Sequence, residues 1–149
     1  MELLFKKMES NDIGNCAYEL IKAFKEEPWN EEWTYQQAYE RIDEIMSARV
    51  SRGYVIYDGD VVVSMLCGRI MTYMGFKELW IDEFSVNPDY QRQGIGTKML
   101  DFVREEMKKE KDKISCLVLI TERGYPSVKF YEANGFRMDE KPVFMAANV

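Results

Sequence analysis

The order of apolar and polar positions divides the chain into helical and strand-like stretches. Leu3-Leu4-Phe5 is a short apolar run that predicts a first strand. Ile13, Ala17, Leu20, Ile21 and Phe24 then recur at helical spacing, with Ser10 or Asn11 available as the cap. Ala38, Ile42, Ile45 and Met46 mark a second helix that opens on Thr34 and ends before Gly53. Gly53–Tyr57 and Val61–Leu66, joined by Asp58-Gly59-Asp60, read as a hairpin, the second arm running on through Ile70 to Tyr73. Met74–Lys77 turns the chain into a further strand, Leu79–Val86, which Pro88 stops because it offers no N–H to a ladder.

The second half repeats the alternation. Met99, Phe102, Val103 and Met107 line one face of a helix that follows Gly96. Ile114–Ile120 is a near-continuous apolar strand of the kind covered on both faces. Tyr125–Ala133 predicts a short helix with Pro126 in its first turn and Asn134-Gly135 as its stop. Phe136–Asp139 and Val143–Ala147 read as two final strands. With no linker, repeat or low-complexity tract, residues 1–149 are expected to form one domain of mixed α/β class.

Composition narrows the chemistry. The net charge of −6 and pI near 4.9 argue against a nucleic-acid partner, which needs clustered Lys and Arg. No apolar run approaches a membrane span, and the charged N-terminus is unlike a signal peptide, so no membrane partner is expected. Three dispersed cysteines without a CxxC pair suit reduced thiols and a cytoplasmic location. The chain holds 0 histidines, which removes a histidine base, a Ser-His-Asp triad and His-ligated metal; no metal is expected.

The stretch Leu79–Lys98 stands out. A strand carrying Asp82 and Glu83 runs into Gln91-Arg92-Gln93-Gly94-Ile95-Gly96 and then a helix. Strand, glycine-bearing turn and helix N-terminus in that order make an anion site, since the first helical N–H groups lack internal partners. The spacing is neither a Walker loop nor a dinucleotide fingerprint, because Met99 stands where a third glycine belongs.

Gln91–Gly96, preceded by Val86-Asn87-Pro88-Asp89-Tyr90 and followed far downstream by Phe130-Tyr131-Glu132-Ala133-Asn134-Gly135-Phe136, resembles the GNAT superfamily of acyl-CoA-dependent N-acetyltransferases. The resemblance implies a central, mostly antiparallel twisted sheet, splayed between its fourth and fifth strands and flanked by about four helices. Acetyl-CoA would lie in the gap. Gln91, Arg92, Gln93, Gly94, Ile95, Gly96 and Thr97 would cradle its pyrophosphate, and the backbone around Phe84, Ser85 and Val86 would pair with its pantetheine arm. Ser127 and Asn134 fall where such proteins often touch the cofactor. A backbone N–H near Ser85 could polarise the thioester oxygen.

The implied reaction is attack of a neutral primary amine on a thioester. An alkylamine has a pKa of about 10 and must shed a proton first. With histidine absent, a carboxylate or a water chain ending on one is the base. Strand alternation lets only one of Asp82 and Glu83 face the cleft; the resemblance favours Asp82, with Glu83 as substitute or as a ligand for substrate ammonium. A structural role, each paired with Lys or Arg, is the competing reading. Tyr131 stands where such enzymes keep the proton donor to the leaving thiolate. Glu26–Trp33 packs acids and tryptophans between the first two helices, which suits a small cationic amine through Glu27, Trp29 and Trp33. Rival readings are a protein N-terminal or lysine acetyltransferase and a non-catalytic acyl-CoA-binding module. The resemblance leaves monomer and homodimer open, dimers being common among such proteins.

Overall fold

The computed structural model describes residues 2–149. Five strands form one open sheet in chain order: β1 (Leu3–Lys7), β2 (Ser51–Asp58), β3 (Val61–Tyr73), β4 (Phe76–Val86) and β5 (Ile114–Val118). The first three pairings are antiparallel and the last, β4 with β5, is parallel. Four helices flank the sheet: α1 (Ile13–Lys25), α2 (Tyr35–Ile45), α3 (Ile95–Lys108) and α4 (Pro126–Ala133). Among the described residues, no helix is long and apolar enough to cross a membrane.

Two cores lie on the two faces of the sheet. On one face Ile13, Cys16, Ala17 and Leu20 of α1 and Ala38 and Ile42 of α2 pack on Val55, Met65 and Cys67. On the other, Ile95, Met99, Leu100 and Val103 of α3 pack on Tyr54, Ile56, Leu66, Leu79 and Ile81. The helical spacing read from the sequence is the spacing of these buried faces. Thr34 caps α2 as expected: its hydroxyl accepts from the Gln37 N–H, and the Gln37 side chain accepts from the Thr34 N–H. The start of α1 differs from expectation. Ser10 and Asn11 lie in a 3-10 turn, and Asp12 fastens the entry by accepting from the Glu9 N–H, Lys6 and Tyr57.

The splay follows from register. Only Lys77–Trp80 of β4 pairs with β5, so Ile81–Val86 leaves β5 and carries a free edge. A β-bulge at the same level steps β4 out of register: Ile81 lies opposite Gly68 and Glu83 opposite Cys67, so Asp82 is the extra residue. Gly68 is what lets β3 and β4 meet there. A Cβ on it would sit 1.9 Å from the Trp80 carbonyl oxygen.

The C-terminal quarter departs from the expected strands. Phe136–Asp139 and Val143–Ala147 take no regular structure and join no ladder, and β5 stops at Val118 rather than Ile120. Their apolar patterns supply strand propensity, yet a strand exists only through a partner's backbone. Among the described residues, no strand pairs with the outer edge of β5.

Candidate active site

Where β4 and β5 part, a cavity of about 340 Å³ opens. Asp82, Glu83 and Phe84 form one wall, Leu119, Ile120 and Thr121 the opposite one. Phe24, Trp29, Glu31 and Trp33 close it from the loop after α1, with Arg41 reaching in from α2 and Tyr131 from α4. Trp29 packs edge-on against both Phe24 and Tyr125, with centroids 5.5 and 4.9 Å away. It thereby ties the end of α1 to the residue that precedes α4 and roofs the gap. Trp33 donates its indole N–H to Glu31 at 2.8 Å, fixing that carboxylate at the rim. Of the three residues expected to meet substrate, Trp29 and Trp33 line the cavity, while Glu27 is exposed outside it.

The bulge resolves the carboxylate pair in an unexpected way. Strict alternation would send Asp82 and Glu83 to opposite faces, but the extra residue brings both to the face that α1 and α2 cover. Each has an arginine partner. Asp82 accepts two hydrogen bonds from Arg69, at 2.9 and 3.1 Å. Glu83 accepts one from the Arg41 Nε at 3.1 Å, and its side chain is only 13% exposed. Burial raises the Glu83 pKa, Arg41 opposes that rise, and the neighbouring Glu31 and Asp82 add to it. Asp82 therefore has both oxygens engaged, whereas Glu83 keeps one free of protein donors among the described residues.

Tyr131 stands across the cavity in an aromatic cage. Its ring lies 6.2 Å from Phe84, 5.3 Å from Phe130 and 5.2 Å from Phe136. Burial, with the Glu83 charge adding to it, pushes its pKa up to about 12, so the phenol keeps its proton at neutral pH.

Below the cavity the backbone offers two sets of free donors. Ser85 has its carbonyl bonded by the Ser64 hydroxyl, and Asn87 donates to the Val63 carbonyl, so both face β3. Alternation then turns the N–H and C=O groups of Phe84 and Val86 into the gap. The Ser85 side chain points away too, donating to buried Glu19. Of the three residues expected to pair with a cofactor arm, Phe84 and Val86 are thus the ones whose backbone groups face the gap. Further on, Arg92 and Gly94 take positive φ of 63° and 73°, and Gly94 caps α3. Among the described residues, the N–H groups of Arg92 through Thr97 have no backbone acceptor. Successive free amides in a turn that opens a helix form an anion nest.

Gly96, Ser127 and Asn134 have local tasks. A Cβ on Gly96 would lie 2.7 Å from the Phe130 ring, so this glycine lets α4 close on α3. Ser127 shares a 2.9 Å hydrogen bond with Thr121, joining α4 to the strand-end wall of the cavity. Asn134 donates to the Phe130 carbonyl, and its own carbonyl accepts from Arg104. Glu31 belongs to the Glu26–Trp33 stretch that the sequence points to, though it is not one of the three residues named from it. Arg41 is not singled out by sequence reasoning, being an arginine on the polar face of α2, indistinguishable there from a solvated charge.

The Acetyltransferase (GNAT) family model matches residues 15–136. No curated protein matches the chain. The crystal structure of "a possible acetyltransferase from Clostridium difficile 630" superposes with TM-score 0.82 at 15% identity, covering 100% of this chain and 99% of that one. An aminoglycoside acetyltransferase from an uncultured soil metagenomic sample, solved with sisomicin, has TM-score 0.76 at 16% identity, covering 99% and 96%. An aminoglycoside antibiotic 6'-N-acetyltransferase of Acinetobacter baumannii has TM-score 0.72 at 15% identity, covering 99% of both chains. Because that family model spans residues 15–136, most of the chain, the chain belongs to the GNAT acetyltransferase family.

Proposed function

We propose that this protein transfers an acetyl group from acetyl-CoA to a primary amine of a small, cationic acceptor. The observation that carries the reading is the placement of Glu83 and Tyr131 on one cavity, directly where the free edge of β4 begins.

The cofactor site fits on three counts. The amides of Arg92–Thr97 suit a pyrophosphate, the free groups of Phe84 and Val86 suit an amide-bearing extended arm, and the gap between β4 and β5 leads both to the cavity. Acetyl-CoA, when bound, supplies an activated acyl thioester. Glu83 accepts the proton that an ammonium must lose to become a nucleophile; its raised pKa makes it a better base than an exposed carboxylate while Arg41 keeps it from being neutralised outright. Tyr131 keeps its proton until a thiolate needs one. Asp82, doubly bonded to Arg69, holds the bulge and adds negative potential rather than taking the proton.

The acceptor reading rests on the lining. Glu31, Asp82 and Glu83 outnumber Arg41, and Phe24, Trp29 and Trp33 present aromatic faces to a cation. The roof made by Trp29 and Tyr125 favours a small molecule over a peptide that would need an open groove. The soil and Acinetobacter neighbours are aminoglycoside acetyltransferases by description, which agrees with such an acceptor class. The discriminating experiment compares Glu83→Gln with Asp82→Asn on an amine that is acetylated. Loss of turnover confined to Glu83→Gln supports this reading; loss confined to Asp82→Asn returns the base to Asp82.

A further inference from the structure

Three carboxylates line the cavity, and one of them lacks a cation. Asp82 is paired with Arg69 and Glu83 with Arg41. Glu31 has no lysine or arginine within ion-pair distance among the described residues. Its position is nonetheless fixed at two points. Its backbone N–H donates to the Phe24 carbonyl at 2.8 Å, which returns the chain to the end of α1 after Asn30 turns it with a positive φ of 51°. Its Oε1 accepts from the Trp33 indole at 2.8 Å, and Trp33 directly precedes Thr34, the cap of α2. Oε2 is left without a protein donor among the described residues. The other acids of the stretch, Glu26, Glu27 and Glu32, stay outside the cavity lining. Glu31 is also felt inside the site, since its charge is among the groups that raise the Glu83 pKa. Two like charges sharing a site repel, and a ligand cation beside Glu31 removes that repulsion. The rings of Phe24, Trp29 and Trp33 line the same space.

We propose that Glu31 receives a second ammonium of the acceptor, which makes the substrate a diamine acetylated at one end. The inference rests on the acetyl-transfer reading of this cavity and names the feature of the acceptor that the reading leaves open. One amine lies at Glu83 and gives up its charge; the other keeps its charge at Glu31. In the transfer the C–N bond forms as the thioester C–S bond breaks. The reacting ammonium gives up two protons, one ending on the departing CoA thiol and one in solvent, so the product carries one positive charge fewer. Entering the other way round, that product sets a neutral amide at Glu31, and a second transfer is disfavoured.

The test measures kcat/KM on putrescine and cadaverine, each against the amino alcohol in which a hydroxyl replaces one amine. Wild type should favour the diamines by about tenfold, the scale of a rim ion pair joined to an aromatic contact. With acetyl-CoA in excess, mass detection should find one acetyl group on each diamine and not two. Glu31→Gln keeps an oxygen that accepts from Trp33 and removes the charge, so it should bring the ratio of diamine to amino alcohol close to one. Glu32→Gln, at an exposed residue outside the lining, should leave the ratio as in wild type. Equal kcat/KM for the two classes in wild type, a ratio that survives Glu31→Gln, or diacetylated product formed as readily as monoacetylated would overturn the second-ammonium site and leave acetyl transfer standing. Acetylation of none of the four compounds would overturn both.

Discussion

The Nε of Arg41 donates to Oε1 of Glu83 at 3.1 Å, joining the middle of α2 to the strand that carries the proposed base. Burial and the Glu31 and Asp82 charges push Glu83 towards its neutral form; Arg41 is the group that pulls it back. Removing the guanidinium should therefore raise the pKa of Glu83 further. Arg41→Gln is expected to move the acid limb of the kcat/KM–pH profile to higher pH while leaving the plateau rate within a few-fold of wild type. An unmoved limb with a lower plateau would make Arg41 a substrate contact instead.

Tyr131 gives a different signature. Tyr131→Phe preserves the aromatic cage and removes only the hydroxyl that carries the proton, so acetyl-CoA affinity should hold while kcat falls on the order of 10²-fold, the usual scale for a lost general acid. Binding by calorimetry and turnover measured side by side check this. Equal loss of both would assign Tyr131 to packing.

Gly68 is a structural requirement of the bulge. Gly68→Ala drives a methyl to within 1.9 Å of the Trp80 carbonyl oxygen, a backbone atom, with no flexible side chain to yield. Overpacking of that kind costs about 3 kcal/mol or more. A thermal melt should show a drop of many degrees, and any folded fraction should lose activity because Asp82 and Glu83 turn with the bulge. A melt like wild type would mean that β4 runs without it.

Glu19 couples stability to pH. Burial, only partly offset by the Ser85 hydroxyl, raises its pKa from 4.5 to about 8 in the folded chain. The folded state then holds a proton that the unfolded state releases, so stability is full below about pH 4.5 and declines as pH rises towards 8. Over that window the loss is on the order of a few kcal/mol. Denaturant melts at pH 5 and pH 8 should differ in wild type, and the Glu19→Gln variant should lack this decline. An unchanged difference in the variant would locate the effect elsewhere.

Much of this architecture is legible before any coordinates, and what is not has a common cause. Thr34 with Gln37, the Gly59 turn and the Asn134-Gly135 stop are local, so their residue types announce them. The strand, glycine turn and helix from Leu79 to Lys108 are likewise written in adjacent residues. The bulge is not, since it depends on register between β3 and β4, and its one trace in the sequence is Gly68 in an otherwise β-rich run. For the same reason alternation alone misassigned Asp82 and Glu83 to opposite faces. Their arginine partners come from β3 and α2, far along the chain, as do the contacts of Gly96 with Phe130 and Ser85 with Glu19. The final strands failed differently: the apolar pattern is present in Val143–Ala147, but the backbone that would pair with it is not supplied by the same fold.

The central claim is tested most directly by incubating the protein with acetyl-CoA and a panel of aminoglycosides, polyamines, amino acids and short peptides, following CoA release with mass detection of product. The account predicts a mass gain of one acetyl group on a small polycationic amine, abolished by Glu83→Gln and slowed by Tyr131→Phe. Acetylation of peptides alone, or tight acetyl-CoA binding with no acetylated product from any amine, would contradict it.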